Sequence, residues 1–143
     1  MKLDDKDHKI IEQLRLNSRS SIRDIAKATG LRPSTVHERI KRLINDKVIE
    51  HFTLKLNNEA MGESFIVFML VSGNPTHYVG TPLITNPHIK EVFGITGEYD
   101  MMMKLKFKDV AEFNDFVIKF RKENKEVTKT LTMIATVDLK EEL

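Results

Sequence analysis

Residues 21–45 of the chain read SIRDIAKATGLRPSTVHERIKRLIN and predict two short helices joined by a tight corner. Ser21 is a typical N-terminal cap with Asp24 in the capping-box position, and Gly30 favours the left-handed conformation that ends many helices. Pro33 suits the first turn of a second helix, where its missing N–H would be unpaired anyway. A helix, a short corner and a second helix therefore form the centre of the first domain.

Apolar and small residues recur at helical spacing in both segments: Ile22, Ile25, Ala26 and Thr29 in the first, and Val36, Ile40 and Leu43 in the second. Ala26, Gly30 and Val36 match a helix-turn-helix unit, which needs a small residue where the helices cross, a glycine in the corner and an aliphatic residue in the second helix. An ordinary helical hairpin in an all-α core has a similar pattern and stays open on spacing alone.

Charge favours DNA binding over that alternative. Residues 19–42 hold seven basic residues and two acidic ones, a net charge of +5. A positively charged helix pair of this geometry is the electrostatic footprint of a DNA-binding unit. Residues 1–60 hold 13 Lys and Arg against 9 Asp and Glu, whereas residues 61–143 hold 10 against 12. The sequence thus indicates a polyanion-binding head on a domain with another task.

Composition excludes several other classes. The chain has 143 residues and no cysteine, which excludes disulfides, thiolate metal sites and cysteine nucleophiles. Its charged start, MKLDDKDHK, is unlike a signal peptide, and no apolar run reaches the roughly 20 residues of a membrane span. The histidines lack metal-ligand spacing, and no catalytic triad or phosphate-binding loop is visible. We therefore predict a cytoplasmic protein that is not an enzyme and has no cofactor or metal.

The helical angle predicts which side chains of the second basic helix face DNA. Residues early in such a helix normally meet base edges, and basic residues further along meet phosphates. We predict Ser34, Thr35 and Glu38 near bases, and Lys41 and Arg42 on phosphates. Arg39 lies closer to the buried stripe, so a structural ion pair and a DNA contact are equally open for it.

The segments around this unit complete the first domain. The pattern predicts a first helix over Leu3–Leu16, capped by Asp4 or Asp5, with its inner side formed by Asp7, Ile10, Ile11 and Leu14. Phe52, Leu54 and Leu56 alternate with polar residues, which predicts a linker strand. The predicted organisation is a helix-turn-helix domain over residues 1–50, a linker strand and turn over 51–62, and a second domain over 63–143.

The second domain alternates strand and helix patterns. Strands are predicted at Phe65–Val71, Ile89–Thr96, Tyr99–Phe107 and Thr130–Val137, and helices at Thr76–Thr85 and from Asp109 onward. Gly80 and Pro82 make the first of these helices short or kinked. The order βαββαβ predicts a ferredoxin-like α+β sandwich with both helices on one face of an antiparallel sheet. Glu141 and Glu142 are expected to be a solvated tail.

Apolar residues occupy both faces of several of these strands. Only one face is covered by helices, so we expect a second copy of the chain to cover the other. This predicts an obligate homodimer.

A set of residues spread along the first domain resembles the Lrp/AsnC (feast/famine) transcription regulators: Leu3-Asp4, Asp7, Ile10-Ile11, Leu14, Arg19, Ile25-Ala26, Gly30-Leu31, Thr35-Val36, Arg39-Ile40, Arg42-Leu43 and Val48-Ile49. The resemblance extends over essentially the whole chain. Arg32 stands where the family usually has a capping serine, which removes about 1 kcal/mol of capping but adds a candidate phosphate contact. Lys47 stands where the family usually has a glycine.

In the second domain, Thr96-Gly97-Glu98-Tyr99-Asp100 is similar to the family's Gly-x-x-Asp hairpin, and Thr130-x-Thr132 to its last-strand signature. The resemblance implies an effector pocket, usually for an amino acid, between dimers of a larger ring such as an octamer. It implies as effector residues Gly97, Glu98, Tyr99, Asp100, Thr130 and Thr132. Backbone N–H groups at Gly97 can hold a carboxylate and Asp100 an ammonium group. The alternative is that Gly97 only makes the turn and Asp100 only caps it.

The sequence as a whole predicts a sequence-specific DNA-binding transcription regulator that responds to an amino acid or a related small metabolite. Its partners would be double-stranded DNA, the effector and further copies of itself. One alternative is an amino-acid-binding regulatory subunit or ferredoxin-like metabolic protein whose helical head docks protein. Another is a DNA-compacting architectural protein without an effector.

Overall fold

The chain was analysed as a computed structural model that describes residues 2–73 and 81–142. It divides into two compact units, Met1–Leu54 and Lys55–Leu143. The first unit contains the helices α1 (Asp5–Leu16), α2 (Ile22–Thr29) and α3 (Pro33–Asn45). The second contains, in order, β1 (Phe65–Ser72), α4 (Thr81–Thr85), β2 (Ile89–Gly94), β3 (Met101–Phe107), α5 (Val110–Glu123) and β4 (Lys129–Ile134). The element order confirms the predicted fold class.

The helix starts follow from local side-chain chemistry. Asp4 caps α1 in a full capping box with Asp7, so the helix begins at Asp5 rather than at Leu3. The Ser21 hydroxyl accepts from the Asp24 N–H at 3.1 Å and donates to the Asp24 carboxylate at 2.6 Å. Asp24 thus reaches the hydroxyl of the cap, whereas a capping box would use the cap's N–H. α3 begins at Pro33 without a side-chain cap, as expected from Arg32 at the cap position.

The corner between α2 and α3 has the predicted helix-turn-helix form. Gly30 ends α2 in the left-handed region with φ of 70°. The stripe residues then close one small core, which contains the buried Ile10, Ile25, Ala26, Val36 and Leu43. Partly buried side chains from all three helices surround that cluster, so each helix depends on the other two for burial of its apolar face.

Residues 51–57 are not a strand in this chain, and the predicted linker strand is wrong for the structure of a single copy. The alternating Phe52, Leu54 and Leu56 are 52%, 65% and 49% exposed. A strand needs a hydrogen-bonded neighbour, and within residues 2–73 and 81–142 no segment pairs with this one. The alternating pattern predicts that the segment is suited to a strand, but it does not show whether another segment is available to pair with it.

The second unit is a four-stranded antiparallel sheet in the order β2-β3-β1-β4. Its core lies on one face, where alternate residues of β1 and β3 are buried under α5, among them Val67, Met103 and Phe107. Leu83 of α4 packs against the same cluster as Phe113 and Phe116 of α5. Both helices therefore cover one face, as the ferredoxin-like prediction required.

Several predicted boundaries in this unit were too wide. β2 ends at Gly94 and β3 begins at Met101, because residues 95–100 form a longer loop than the two-residue corner expected at Gly97-Glu98. β4 ends at Ile134, opposite Val67 of β1, and one further hydrogen bond runs from the Ala135 N–H to Ile66 O at 2.9 Å. Of the predicted helix over 76–85, α4 accounts for the last residues, and 76–80 lie outside the described part.

The sheet face opposite α5 carries a group of apolar side chains that is open to solvent in a single chain, beside Lys104 and Lys106 of β3. Phe68, Leu70 and Met102 are half-buried on this face, whereas Phe93, Leu131 and Met133 are 51%, 43% and 44% exposed. We refer to these six residues as the open sheet face.

Glu141 lies beside that face and is not the solvated residue expected from the sequence. Its side chain is 10% exposed and is ion-paired with Lys104 at 2.8 Å, with Lys106 at 2.7 Å and with Lys55. Burial alone would raise the pKa of Glu141, but the three ammonium groups outweigh it and hold the pKa well below its ordinary range. Glu142 is exposed, as predicted.

Candidate nucleic-acid interface and effector site

The outward face of α3 carries most of the predicted DNA contacts. Arg32, Ser34, Glu38 and Lys41 are exposed, and Thr35 is half-buried. They lie opposite Val36 and Leu43, which are fully buried in the core of the head. This face combines short polar side chains in its first turn with basic groups at both ends, an arrangement suited to base edges and flanking phosphates.

Arg39 and Arg42 occupy a different environment, because both are bound to carboxylates of α1 and its cap. Arg39 Nη1 lies 2.6 Å from Asp4 Oδ1 and 2.8 Å from Asp7 Oδ1. Arg42 Nη2 lies 2.7 Å from both oxygens of Asp7. The Asp7 side chain is only 1% exposed, compared with 19% for Arg39 and 45% for Arg42. Of the two roles open for Arg39, the structure contains the ion pair.

This network is continuous with the cap of α1. The same two carboxylates accept the N–H groups of Asp7 and Asp4 at 2.9 and 3.1 Å, while they accept from the guanidinium groups of α3. The hydrogen bond to Arg39 lowers the pKa of the Asp4 carboxyl, and the reciprocal bond raises the pKa of Arg39. Asp4 and Arg39 therefore each favour the charged form of the other.

The predicted effector residues gather at one end of the sheet. The Glu98 carboxylate pairs with Lys129, whose Nζ lies 4.9 Å from the centre of the Tyr99 ring. The pair lowers the pKa of Glu98 and raises that of Lys129. Thr130 follows Lys129 on β4 and pairs with Val71. The loop and β4 are thus brought together through a lysine that the sequence analysis did not single out.

Asp100 has a structural role in addition to any role in binding. Its Oδ2 accepts the Gly73 N–H at 2.8 Å, and its own N–H donates to Val71 O at 2.9 Å. Gly97 is exposed with φ of 126°, a conformation that L side chains rarely adopt, so the loop requires glycine there. The turn role of Gly97 and the capping role of Asp100 are therefore both present in the fold, and one Asp100 oxygen is committed to it.

Thr132 lies further along β4, opposite Met69, and is exposed. Because successive residues of a strand alternate between faces, Thr130 and Thr132 share the α5 side of the sheet. The structure thus brings Glu98 and Tyr99 to Lys129, whose position in β4 lies on the opposite face of the sheet from Thr130 and Thr132.

The residues that the sequence analysis missed share one property, which is pairing at long range. Asp7 was assigned to the inner side of α1 but not to the arginines 32 and 35 positions away. A buried acid on an apolar helix face is itself a signal, since such a group needs a cationic partner. Lys129 and Ser72, whose hydroxyl donates to Glu98 O at 2.9 Å, carried no comparable local signal.

A profile of winged helix-turn-helix DNA-binding domains matches residues 3–50, and a profile of the Lrp/AsnC ligand binding domain matches residues 64–143. The chain belongs to the Lrp/AsnC family. It is therefore a DNA-binding transcription regulator with a ligand-binding domain, which confirms the DNA-binding interpretation of the helical head. The relatives are transcription regulators and not enzymes.

Among similar proteins, the HTH-type transcriptional regulator FL11 of Pyrococcus furiosus is 44% identical over 117 residues, which cover 80% of this chain and 78% of FL11. An uncharacterized HTH-type regulator of Pyrococcus horikoshii is 33% identical, with 99% of this chain and 97% of that protein covered. Because they cover 80% and 99% of this chain, these matches extend over both of its units.

Solved structures share the fold. A transcriptional regulator of Neisseria meningitidis in complex with L-Met superimposes with a TM-score of 0.90 at 22% identity, covering 98% of this chain and 94% of the other. LrpC of Bacillus subtilis gives a TM-score of 0.87 at 24% identity, covering 99% and 100%. At these identities the likeness establishes the architecture.

Two further properties concern the described ranges only. Within 2–73 and 81–142 no helix is both long and apolar enough to cross a bilayer. In the same ranges no group of three or more His, Asp or Glu side chains lies close enough together to hold a metal ion.

Proposed function

We propose that this Lrp/AsnC regulator recognises a specific DNA sequence through α3, binds an amino acid or a related small metabolite through its second unit, and acts as a dimer that assembles further. The observation that carries the DNA part is the exposed polar face of α3. Ser34, Thr35 and Glu38 are assigned to base edges, and Arg32 and Lys41 to phosphates on either side. Arg39 and Arg42 are instead bound to Asp4 and Asp7, at the cap and in the first turn of α1.

The phosphate assignment is tested with Lys41→Gln in the full chain. Each phosphate contact contributes about 0.9 to the slope of log affinity against log salt, so we expect the slope on a random-sequence duplex to fall by about that amount. Fluorescence anisotropy over a salt series measures it. Lys125→Gln removes the same charge from an exposed position in the second unit and should leave the slope unchanged. Equal slopes for Lys41→Gln and the unmodified protein would contradict the assignment.

The effector proposal rests on the chemistry at the end of the sheet. Glu98, Tyr99 and Lys129 provide an anion, an aromatic face and a cation within one cluster, and Thr130 and Thr132 carry hydroxyl groups on the other face of β4. An amino acid carries one ammonium and one carboxylate group, so it needs partners of both signs. The match to the family's ligand-binding domain and the L-Met complex of the Neisseria protein support this class of ligand.

A thermal-shift screen against the twenty amino acids tests the proposal. A ligand that binds only the native state raises the melting temperature in proportion to the logarithm of its concentration over its Kd. We expect one or a few amino acids to do so, and Thr132→Ala to weaken the shift. Thr136→Ala, which lies beyond the end of β4, is the matched control. No shift with any amino acid at millimolar concentration would refute an amino acid effector.

The dimer proposal rests on the open sheet face. Six apolar side chains lie on one surface, and the alternating Phe52, Leu54 and Leu56 are exposed as well. A second copy of the chain would remove these groups from water and give the linker segment a strand to pair with. Two heads in a symmetric dimer imply a palindromic site with half-sites one or more helical turns apart.

A further inference from the structure

Two acids of the α1 cap and first turn bind two of the three basic side chains in the second half of α3. Asp7 contacts Arg39 at 2.8 Å and Arg42 at 2.7 Å, and Asp4 contacts Arg39 at 2.6 Å. Lys41 is exposed and has no carboxylate partner among the residues that the structure describes. In this half of α3, Arg39 and Arg42 are therefore paired with carboxylates, whereas Lys41 is exposed to solvent.

The burial of Asp7 makes this network strong. Its carboxylate is 1% exposed, so it has lost its hydration and depends on the guanidinium groups for compensation. To bind Arg42, a DNA phosphate would have to compete with the two hydrogen bonds of 2.7 Å that Arg42 donates to the Asp7 carboxylate. It would also approach the negative charge of Asp7, which repels it.

We propose that Asp4 and Asp7 are positioning residues for DNA binding, which hold Arg39 and Arg42 against α1 and withhold their charge from the DNA backbone. This inference rests on the proposed role of α3 as the DNA-contacting helix. Lys41 is then the cation in the second half of α3 that binds phosphate. Its neighbour Arg42, predicted from the sequence to do the same, instead fixes the position of α3 relative to α1.

The consequence is greater dependence of binding on base contacts. Phosphate contacts strengthen binding to every duplex equally, whereas base contacts discriminate between sequences. By neutralising two arginines on the recognition helix, the acids lower the affinity for every duplex by the same factor without touching the groups assigned to bases. Base contacts of α3 therefore supply a larger share of the binding free energy, although neither Asp4 nor Asp7 contacts DNA.

The first test compares neighbouring substitutions, Lys41→Gln and Arg42→Gln, in the full chain. Binding to a random-sequence duplex is measured by anisotropy between 50 and 200 mM salt. Lys41→Gln should flatten the salt slope by about 0.9, which is about a threefold change in affinity across that range, whereas Arg42→Gln should leave the slope unchanged. Equal flattening by both substitutions would overturn the inference.

The second test releases the arginines with Asp7→Asn. The asparagine oxygen can still accept the Asp4 N–H, but its NH2 group cannot accept from a guanidinium. We expect the salt slope to steepen by about 0.9. The ratio of the variant's affinity for random DNA to that of the unmodified protein should then be about threefold higher at 50 mM salt than at 200 mM. The double variant Asp7→Asn/Arg42→Gln should return to the original slope, because the released group is then missing.

Asp5→Asn is the matched control for charge. It removes the same negative charge from an exposed residue of the same helical turn, outside the network that binds the arginines. It should leave the salt slope unchanged. A slope that steepens equally in Asp5→Asn and Asp7→Asn would show that only net charge matters, and would overturn the positioning role.

Comparison of two duplexes gives a readout that a purely structural role would not move in this direction. A duplex selected from a random library against the unmodified protein serves as the specific probe. At 50 mM salt the affinities of Asp7→Asn for this probe and for random DNA should rise by the same factor, because the released arginine binds phosphate and not bases. Lower affinity for both duplexes with an unchanged slope would mean that Asp7 only supports the fold, and would overturn the inference.

Folding of each variant is followed by circular dichroism and melting temperature. If Asp7→Asn does not fold, Asp4→Asn replaces it, because Asp4 is 53% exposed and its loss leaves Asp7 in place. The comparison of Lys41→Gln with Arg42→Gln also separates the role of α3 in DNA binding from the role of the two acids. An unchanged slope in Lys41→Gln rejects α3 as the phosphate-binding helix, whereas flattening in both variants rejects only the role of the acids.

Discussion

Lys47 shows how a single residue can conflict with its backbone. It has φ of 56°, the left-handed conformation that glycine adopts without strain. Its N–H donates to Ile44 O at 3.0 Å and the N–H of Val48 donates to Leu43 O at 2.9 Å, which is the Schellman pattern that ends a helix. The geometry explains why the family usually has glycine there, and why α3 still ends at the same place with lysine.

Lys47→Gly should therefore stabilise the head. The free energy gained by removing the left-handed strain of lysine exceeds the entropic cost of folding a glycine. We therefore expect the free energy of unfolding in urea to rise by about 0.5–1 kcal/mol. Glu50→Gly is the control, because Glu50 has an ordinary negative φ and glycine there should lower stability. A loss of stability in Lys47→Gly would show that the lysine side chain makes a compensating interaction.

At the scale of elements, two carboxylates are compensated in the same way. Asp7 in the first turn of α1 and Glu141 in the C-terminal segment each bind cations from segments far away in the sequence. Glu141 gathers Lys104 and Lys106 from β3 and Lys55 from the linker. The C-terminal segment and the residues before β1 are thereby held to the edge of the open sheet face.

Glu141→Gln should destabilise the second unit by about 1–3 kcal/mol at pH 7, the usual range for a hydrogen bond to a charged group. Because the folded pKa of Glu141 is lowered, its contribution is present above the pKa of the unfolded chain and is lost as pH falls below it. The difference between the two proteins should therefore shrink from pH 6 to pH 3 in urea titrations.

Glu142→Gln is the control for this measurement. Its side chain is 61% exposed and pairs with Lys140 at the surface, so little effect is expected at any pH. A difference between Glu141→Gln and the unmodified protein that is independent of pH would show that packing matters at this position and ionisation does not.

At the scale of the whole molecule, the two units expose surfaces of opposite character. The head presents polar and basic side chains on α3, while the second unit presents the open sheet face. An apolar face of this kind is unusual for a single copy and is typical of an interface. The proposed division of work follows, with DNA bound by the head and self-association by the second unit.

Leu131→Glu should dissociate the proposed dimer, because it places an unpaired charge in the centre of an apolar interface. Light scattering coupled to size exclusion should then give the 16.6 kDa of one chain. Val110→Glu adds the same charge to α5, where Val110 is 61% exposed, and should leave the mass unchanged. A monomeric mass for the unmodified protein at micromolar concentration would refute the dimer itself.

The sequence by itself determined the type and order of the elements apart from the linker at residues 51–57, the caps at Ser21 and Gly30, and the family to which the chain belongs. These are local properties, because periodicity and capping depend on residues a few positions apart. Only the tertiary structure decided the pairing of Asp7 with Arg42, 35 positions away, and of Lys55 with Glu141, 86 positions away. Which charge meets which is settled by packing of distant segments. For that reason composition predicted a basic helix, whereas the fold determined which of its cations remain free.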